Sequence, residues 1–220
     1  LFPYTTLFRS YYQPKYDIQG EQPRLRSAEA LVRWNHPELG MINPEYFINA
    51  FEKNGMIHEL DHYVWRKAAE QIASWKKEFG YSLPVSVNVS RIDLLDDNFV
   101  NDISKVVEET GIEPSDLMLE ITESAYTEDS EKIIDTVQNL RVMGFHIEMD
   151  DFGTGYSSLN MISSLPIDIL KLDIGFVRHI HENQKDYRMV EIIMEIAELL
   201  EVKVVAEGVE LEAQYELLKK

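Results

Sequence analysis

The chain has 220 residues, and 45% of them are hydrophobic, which is enough for one domain with a sizeable core. Its 39 acidic and 21 basic side chains give a formal net charge of −18, which excludes broad electrostatic adhesion to a DNA or RNA polymer or to anionic lipid. Cysteine is absent, which excludes disulfides, thiolate metal sites and a cysteine nucleophile and fits a reducing compartment.

The amino-terminal segment carries no recognisable signal peptide, and no apolar run approaches the roughly 20 residues of a membrane-spanning helix. We expect a cytoplasmic domain, within a parent protein that other segments could anchor to a membrane. Residues 1–10 (LFPYTTLFRS) lack clear periodicity and resemble the translation of a sequencing-library adapter. We therefore predict that residues 1–10 are non-native, exclude them from the fold, and expect one domain over residues 11–220.

From Tyr11 onward, short β-rich runs alternate with longer helical patterns. Strands are predicted at residues 11–18, 27–34, 83–89, 117–121, from 145, 167–172 and 202–206. Helices are predicted at residues 44–53, 58–79, 97–110, 129–143, 185–200 and from 211. Because the strands are continuous apolar runs that alternate with helices, the pattern indicates a parallel sheet wrapped by helices.

Polar residues lie in or at the ends of successive predicted strands. In a barrel of parallel strands all the carboxyl ends face one mouth, so residues distant in sequence converge there. We therefore predict an α/β fold of the TIM-like (β/α) barrel type rather than an open sheet. The residues expected at its mouth are Glu29, Asn88, Glu120, Asp150, Asp151, Lys171 and Glu207.

The carboxylates and the amide offer oxygen ligands only, which suits Mg²⁺ or Mn²⁺. Asp150 and Asp151 follow an apolar strand and precede the glycine-containing loop FGTG, so Asp150 could bridge a second ion. Two ions roughly 4 Å apart activate water and neutralise phosphoryl oxygens, which indicates phosphoester hydrolysis. Lys171 could orient or deprotonate the attacking water, and Glu207 could hold metal or water; the sequence leaves the identity of the base open.

Two other enzyme classes compete with this interpretation. In an enolase-like barrel, Lys171 would instead abstract a proton beside a carboxylate bound to Mg²⁺, but Arg33 near Glu29 favours phosphate chemistry. His58 and His62 belong to an H-E-x-x-H pattern that is typical of zinc proteases. We expect instead an amphipathic barrel helix with exposed histidines.

Several motifs, taken together and in order, resemble the signatures of the EAL-domain cyclic di-GMP phosphodiesterases, from about residue 11 to the last residue. They are Tyr12-Gln13-Pro14, the EALVRW run from Glu29, Asn88-Val89-Ser90, Glu120-Ile121-Thr122-Glu123, the DDFGTG run from Asp150, Lys171-Leu172-Asp173 and the EGVE run from Glu207. The resemblance implies hydrolysis of cyclic di-GMP to linear pGpG by a TIM-like barrel with two Mg²⁺ or Mn²⁺ ions.

The resemblance also implies roles for individual residues. Glu29, Asn88, Glu120 and Asp150 match the ligands of the first metal, and Asp150 with Asp151 the acids around the second. Lys171, Glu207 and the metal-bound Glu29 match the catalytic groups. The substrate-binding positions are Gln13, Leu31, Arg33 and Asp173, and Glu123 matches the residue that braces the loop containing Gly153 and Gly155. Every aligned acid is present, which favours catalysis over a catalytically silent cyclic di-GMP receptor.

The resemblance further implies a homodimer and an upstream sensory or cyclase domain in the parent protein. The chain stops at Lys220, before a last segment that normally includes a Gly-Cys-Asp run, a Gln-Gly-Tyr run and a closing strand. We therefore expect a barrel that is truncated at its carboxyl end.

Overall fold

The computed structural model describes residues 7–127, 130–153 and 165–219. The strands, in chain order, are β1 (Phe8–Asp17), β2 (Arg24–His36), β3 (Gly40–Ile42), β4 (Val85–Asn88), β5 (Leu117–Thr122), β6 (Ile147–Phe152), β7 (Ile169–Leu172) and β8 (Lys203–Ala206). The helices are α1 (Ile48–Asn54), α2 (Ile57–Phe79), α3 (Arg91–Leu94), α4 (Phe99–Thr110), α5 (Ser130–Val142), α6 (Ile174–Val177), α7 (Gln184–Leu199) and α8 (Glu212–Leu218). Short 3-10 turns occupy Pro44–Tyr46, Pro114–Asp116 and Glu123–Thr127.

The sheet has the order β1-β2-β4-β5-β6-β7-β8, with β3 attached to β2. Neighbours from β2 to β8 along this path are parallel. The predicted TIM-like α/β architecture is therefore confirmed, as a curled sheet with β1 and β8 at its ends. The predicted parallel pairing is wrong for β1, which is antiparallel to β2. Strand β3, which was not predicted, is also antiparallel to β2. Residues 18–23 and 37–39 connect these strands and are too short for a parallel crossover, which needs a dozen or more residues.

The predicted long helices and the strands that follow them are confirmed to within a few residues. Helix α2, for example, was predicted at residues 58–79 and spans Ile57–Phe79. It ends where Gly80 takes a left-handed conformation with φ of 76°. Strand β3 and helices α3 and α6 were not predicted, because elements of three or four residues show no hydrophobic period.

Strand β1 begins at Phe8 instead of Tyr11, so the exclusion of residues 8–10 from the fold was wrong. The Phe8 side chain is fully buried and stacks on Trp34, with a distance of 5.5 Å between the ring centroids. Phe47 and Phe51 contact the ring of Phe8 edge-on. The non-native origin of residues 1–10 stays a prediction.

The core lies between the sheet and its covering helices. Leu60, Trp65, Ala68 and Ile72 recur at helical spacing along α2 and are fully buried. The indole Nε1 of Trp65 donates a hydrogen bond of 3.0 Å to the backbone carbonyl of Asn88, so α2 holds the end of β4 directly. Within the described ranges, no helix combines the length and apolar composition that crossing a membrane requires.

Candidate active site

The register of the parallel strands gathers the predicted site residues at one edge of the sheet. Asn88 on β4 lies opposite Glu120 on β5, which in turn lies opposite Glu148 on β6. Asp150 is two residues beyond Glu148 and therefore points to the same face of the strand. This edge is formed by the carboxyl ends of the strands, where the sequence analysis predicted the mouth.

The ammonium group of Lys171 is the centre of the site. Its side chain is 1% exposed, and Nζ lies within ion-pair distance of four carboxylates. Residues from five strands or strand ends thus meet in one cluster, because β2, β5, β6, β7 and the residue after β8 each contribute one side chain. The distances from Nζ are 3.3 Å to Glu29, 3.2 Å to Glu120, 3.0 Å to Asp150 and 2.8 Å to Glu207.

The pKa values of the two most buried acids in this cluster, Glu29 and Glu120, are shifted in opposite directions. Burial, followed by repulsion from Glu120, raises the pKa of Glu29 to about 7. Burial also acts to raise the pKa of Glu120, but Lys15 and Lys171 outweigh it and lower that pKa to about 2. Burial acts to lower the pKa of Lys171, yet the surrounding acids raise it above its usual value. Glu120 and Lys171 are therefore charged at neutral pH, whereas Glu29 is poised to take a proton.

A second buried network lies beneath the mouth, and the sequence analysis missed it. Lys15 Nζ contacts Ser86 Oγ at 2.8 Å, Glu120 Oε1 at 2.7 Å and Glu148 Oε2 at 2.6 Å. Burial and Glu120 raise the pKa of Glu148 to about 7, against the opposing charge of Lys15. An available signal was the acid at Glu148 between the apolar residues Ile147 and Met149, which calls for a buried cation. Lys15 therefore anchors one oxygen of Glu120 while Lys171 contacts the other.

We expect Lys15→Met to lower the free energy of unfolding by about 3 kcal/mol, because it leaves the buried Glu148 without its cation and removes one of the two cations at Glu120. Adding Glu148→Gln to Lys15→Met should recover part of this loss. Urea denaturation at pH 8 measures both effects. Lys67→Met is the control, since Lys67 and Glu70 form an exposed pair and its removal should cost less than about 1 kcal/mol. Equal destabilisation by the two lysine variants would contradict the role assigned to Lys15.

Asn88 and Asp151 lie at the open side of the mouth. Asn88 is exposed, and its Nδ2 faces Glu120 Oε2 at 3.5 Å. Asp151 is exposed and adopts φ of 56°, an uncommon left-handed conformation for a residue other than glycine. Its backbone N–H donates to Asp150 Oδ1 at 2.9 Å. Burial, followed by repulsion from Asp150, raises the pKa of Asp151 above its usual value.

The segment after β6 is held at its first glycine. The buried Glu123 accepts a hydrogen bond of 2.8 Å from the backbone N–H of Gly153. Gly153 has φ of 88°, and a β-carbon built there would lie 2.7 Å from Cζ of Phe176 on α6. Glycine is therefore required both by the backbone conformation and by the close approach of Phe176. Gly155 lies outside the described residues.

We expect Gly153→Ala to reduce turnover at this site and to lower the melting temperature, because Ala would have to displace Phe176 or the backbone beside Asp151. Gly80→Ala provides a matched control. Gly80 has φ of 76°, and a β-carbon there would meet nothing within 4 Å. Both variants carry similar backbone strain of about 1–3 kcal/mol, but only Gly153→Ala perturbs the mouth. A turnover loss of equal size in Gly80→Ala would contradict this explanation.

The segments after β7 and β8 complete the edge. Asp173 caps α6, with Oδ1 accepting a hydrogen bond of 2.8 Å from the N–H of Gly175. Its side chain therefore has a structural partner in addition to the substrate role that the resemblance implies. Glu207 follows β8, and its backbone N–H donates to the carbonyl of Leu172 at 3.1 Å. Next to it, Gly208 packs so closely on Ile174 of α6 that a side chain there would overlap it.

The other predicted substrate-binding residues, Gln13, Leu31 and Arg33, lie on the hairpin of β1 and β2. Glu29, Leu31 and Arg33 alternate along one face of β2, and Gln13 on β1 lies opposite Glu29. Leu31 and Arg33 are half-buried, and the guanidinium of Arg33 donates to the carbonyl of Val32 at 2.9 Å. Arg33 thus presents its fixed charge further along the same face that carries Glu29.

The two histidines of the H-E-x-x-H pattern are not at the mouth, and the expectation that they are exposed was wrong. The His58 side chain is 35% exposed and that of His62 is 30% exposed. His58 Nδ1 is 2.5 Å from Oδ1 of the buried Asp93, which explains the partial burial.

The donor set at the mouth fits a hard divalent cation. Its ligand atoms are carboxylate oxygens, supplemented by the amide of Asn88, and this chemistry suits Mg²⁺ or Mn²⁺. The carboxylate oxygens of Glu29, Glu120 and Asp150 already converge on one ammonium group. Four carboxylates face the single ammonium group of Lys171, so the cluster has the negative charge that a divalent cation would neutralise.

Comparisons with known proteins identify relatives of this chain. The chain is 40% identical over 200 residues to the cyclic di-GMP phosphodiesterase PdeR of Escherichia coli (strain K12), covering 91% of this chain and 30% of PdeR. It is 38% identical over 210 residues to the cyclic di-GMP phosphodiesterase NbdA of Pseudomonas aeruginosa, covering 95% of this chain and 26% of NbdA. This chain thus spans less than a third of either relative.

A solved structure described as the PaMucR phosphodiesterase in complex with c-di-GMP superposes with a TM-score of 0.90. Its sequence identity is 35%, and the match covers 97% of this chain and 85% of that chain. A family model described as EAL domain matches residues 5–220. With a match of that extent, this chain belongs to the EAL domain family.

Proposed function

We propose that this domain hydrolyses cyclic di-GMP to linear pGpG in bacterial second-messenger signalling. The observation that carries the proposal is the buried Lys171 ammonium surrounded by four carboxylates at the carboxyl edge of the sheet. Cyclic di-GMP phosphodiesterases among the relatives, and the c-di-GMP complex of PaMucR, support the choice of substrate. A phosphodiester is an anion, so a chain with a net charge of −18 must bind it through local cations.

The same proposal includes two Mg²⁺ or Mn²⁺ ions. Glu29, Asn88, Glu120 and Asp150 would hold the first, and Asp150 with Asp151 the second. When bound, such ions supply charge neutralisation for the phosphoryl oxygens and lower the pKa of water to near neutrality. The left-handed backbone of Asp151 supports this assignment, because strained non-glycine residues cluster at functional sites.

The protein's own residues would bind and orient the substrate around this centre. Lys171 is positively charged throughout the neutral pH range, so we assign it to orienting water and stabilising the charge that develops on phosphate, not to abstracting a proton. Glu207, half-exposed and 2.8 Å from Lys171, would accept a hydrogen bond from that water. Arg33 would contact a phosphate oxygen through its fork of N–H donors. Gln13, Leu31 and Asp173 would line the substrate pocket, and Glu123 would hold the loop after Asp151.

Incubation of the purified chain with cyclic di-GMP and Mn²⁺, followed by chromatographic separation of the nucleotides, tests the proposal. We expect linear pGpG to appear, and treatment with EDTA should abolish it. Cyclic di-GMP that is retained but uncut would instead identify a silent receptor. Failure to bind or cut the nucleotide would overturn the proposed function.

We expect Mn²⁺ binding to weaken as the pH falls below 7. The pKa of Glu29 is about 7 without metal, so protons compete with the ion for this carboxylate below that pH. Because one proton is displaced, the apparent affinity should fall by up to about tenfold per pH unit below 7. Calorimetric titration of Mn²⁺ between pH 6 and pH 8 measures this dependence. An affinity that does not change over this range would contradict the assignment of Glu29 as a ligand.

We also propose a homodimer, a cytoplasmic location and an upstream sensory or cyclase domain in the parent protein. A relative named as the bifunctional diguanylate cyclase/cyclic di-GMP phosphodiesterase MucR, of Pseudomonas aeruginosa, supports the additional domain. The exposed Ile192 and Leu199 on α7 offer apolar surface for self-association. Light scattering coupled to gel filtration distinguishes a dimer from a monomer.

A further inference from the structure

A cluster of potential metal ligands lies outside the mouth, between α2 and the turn after β4. His58 and His62 come from α2, and Asp93 comes from α3. Each residue offers one ligand atom, and these atoms all lie within 4.8 Å of one another. Zinc takes imidazole nitrogen at roughly 2.0–2.1 Å and carboxylate oxygen at roughly 2.0–2.2 Å, so small side-chain rotations would bring all three to one ion.

The backbone builds this arrangement from two rigid elements. His58 and His62 are four residues apart on a helix of 23 residues, which places both rings on one face. Their ring centroids are 4.2 Å apart. Asp93 is fully buried, and the hydroxyl of Ser90 donates to its Oδ2 at 2.5 Å while its Oδ1 faces His58. Ser90 also caps α3 by accepting a hydrogen bond from the N–H of Asp93.

The Nε2 atom of His62 is available to coordinate an ion in this cluster. His62 Nε2 is shielded from solvent and makes no hydrogen bond with any of the described residues. Asp102 on α4 approaches this nitrogen, with Oδ2 at 3.9 Å. A buried imidazole nitrogen without a hydrogen-bond partner is uncommon in folded proteins, and coordination to a cation would satisfy it.

Further buried polar groups surround the cluster. Asp61 is only 7% exposed, lies on α2 between the two histidines, and accepts a hydrogen bond of 3.3 Å from the N–H of Ser90. Two carboxylates, Asp61 and Asp93, are thus buried around one serine. Carboxylates and hydroxyls in such positions typically orient the groups that bind a metal directly.

We propose that His58, His62 and Asp93 bind one divalent transition-metal ion of the Zn²⁺ type. The donor set of two imidazoles and a carboxylate differs from the all-oxygen set of the mouth, so the two sites select different metals. The ion would fasten α2 to the turn that begins two residues after Asn88. Trp65, one helical turn beyond His62, already donates to the carbonyl of Asn88, so the metal would stabilise the same junction.

Titration of the EDTA-treated chain with Co²⁺, in the presence of excess Mg²⁺ to occupy the mouth, tests this site. We expect visible absorption bands of tetrahedral Co²⁺ at one equivalent, and a rise in melting temperature when Zn²⁺ replaces Co²⁺. His58→Gln and His62→Gln should each weaken Co²⁺ binding by about 100-fold. His179→Gln is the matched control, because the His179 side chain is 58% exposed and lies outside the cluster.

The position of the ion is checked independently of phosphodiesterase activity. Glu29→Gln changes the mouth only and should leave the Co²⁺ bands intact. Absence of the bands in the unmodified chain, their survival in a His58→Gln/His62→Gln double variant, or their loss in Glu29→Gln would each overturn the proposal. Circular dichroism establishes that each variant is folded, and the partly exposed histidines make them safer targets than the buried Asp93.

Discussion

Glu29→Gln is expected to lower turnover of cyclic di-GMP by roughly a thousand-fold, which corresponds to about 4 kcal/mol in activation free energy. The amide keeps the size of the side chain but removes the negative charge that a divalent ion requires. Glu29 Oε2 lies 3.3 Å from Lys171 Nζ, and Glu29 lies on the same face of β2 as Arg33. The substitution should therefore reduce Mn²⁺ affinity as well as the catalytic rate.

Steady-state kinetics over a range of Mn²⁺ concentrations separate these two effects. Partial recovery of the rate at high Mn²⁺ would identify Glu29 as a ligand, whereas a rate that stays low at every concentration would indicate a further catalytic role. The control is Glu108→Gln, since Glu108 is an exposed acid on α4. Wild-type turnover in Glu29→Gln would contradict the metal assignment.

Lys171→Met should have an effect of similar size on turnover, and it should also destabilise the protein when metal is absent. The ammonium is the shared partner of four carboxylates, and its removal leaves only Lys15, which contacts Glu120, to compensate their charge. Loss of one partner from a buried ion pair costs about 3–5 kcal/mol. We expect a fall of that size in the free energy of unfolding in EDTA, and a turnover loss of about 100- to 1,000-fold with Mn²⁺.

Added Mn²⁺ should restore much of the stability of Lys171→Met without restoring its turnover, because a divalent ion can neutralise the acids but cannot replace a group that orients water. Thermal unfolding with and without Mn²⁺ measures the stability, and formation of pGpG from cyclic di-GMP measures the turnover. Lys105→Met is the control, because the Lys105 side chain is 68% exposed and its pair with Glu109 is long at 3.8 Å. Recovery of turnover with Mn²⁺ alone would show that Lys171 acts only as a counter-ion.

The sequence was sufficient to predict the architecture and the convergence of the site. Apolar strands alternating with helices predicted the parallel part of the sheet, because parallel strands are buried on both faces. Residues as distant as Glu29 and Glu207 were expected at one edge for a topological reason, and both contact Lys171. The pairing of β1 with β2 was missed because hydrophobic periodicity reports burial and not strand direction.

Other features depend on side-chain geometry that no periodic pattern contains. Lys15 was assigned only to a strand, and its reach to Glu120 and Glu148 follows from a register that exists only once the sheet has formed. The partnership of His58 with Asp93 joins residues 35 apart in sequence. The prediction that His58 and His62 are exposed on an amphipathic barrel helix was therefore wrong, because this contact could not be predicted from the sequence.

Helix α6 touches both sides of the mouth. Phe176 packs against Gly153, close to Asp150 and Asp151, while Ile174 packs against Gly208, next to Glu207. These two contacts come from a helix of only four residues, which is too short to bend between them. A displacement of α6 that opened one flank would therefore shift the opposite flank at the same time, so the acids on β6 and the acid after β8 are mechanically linked.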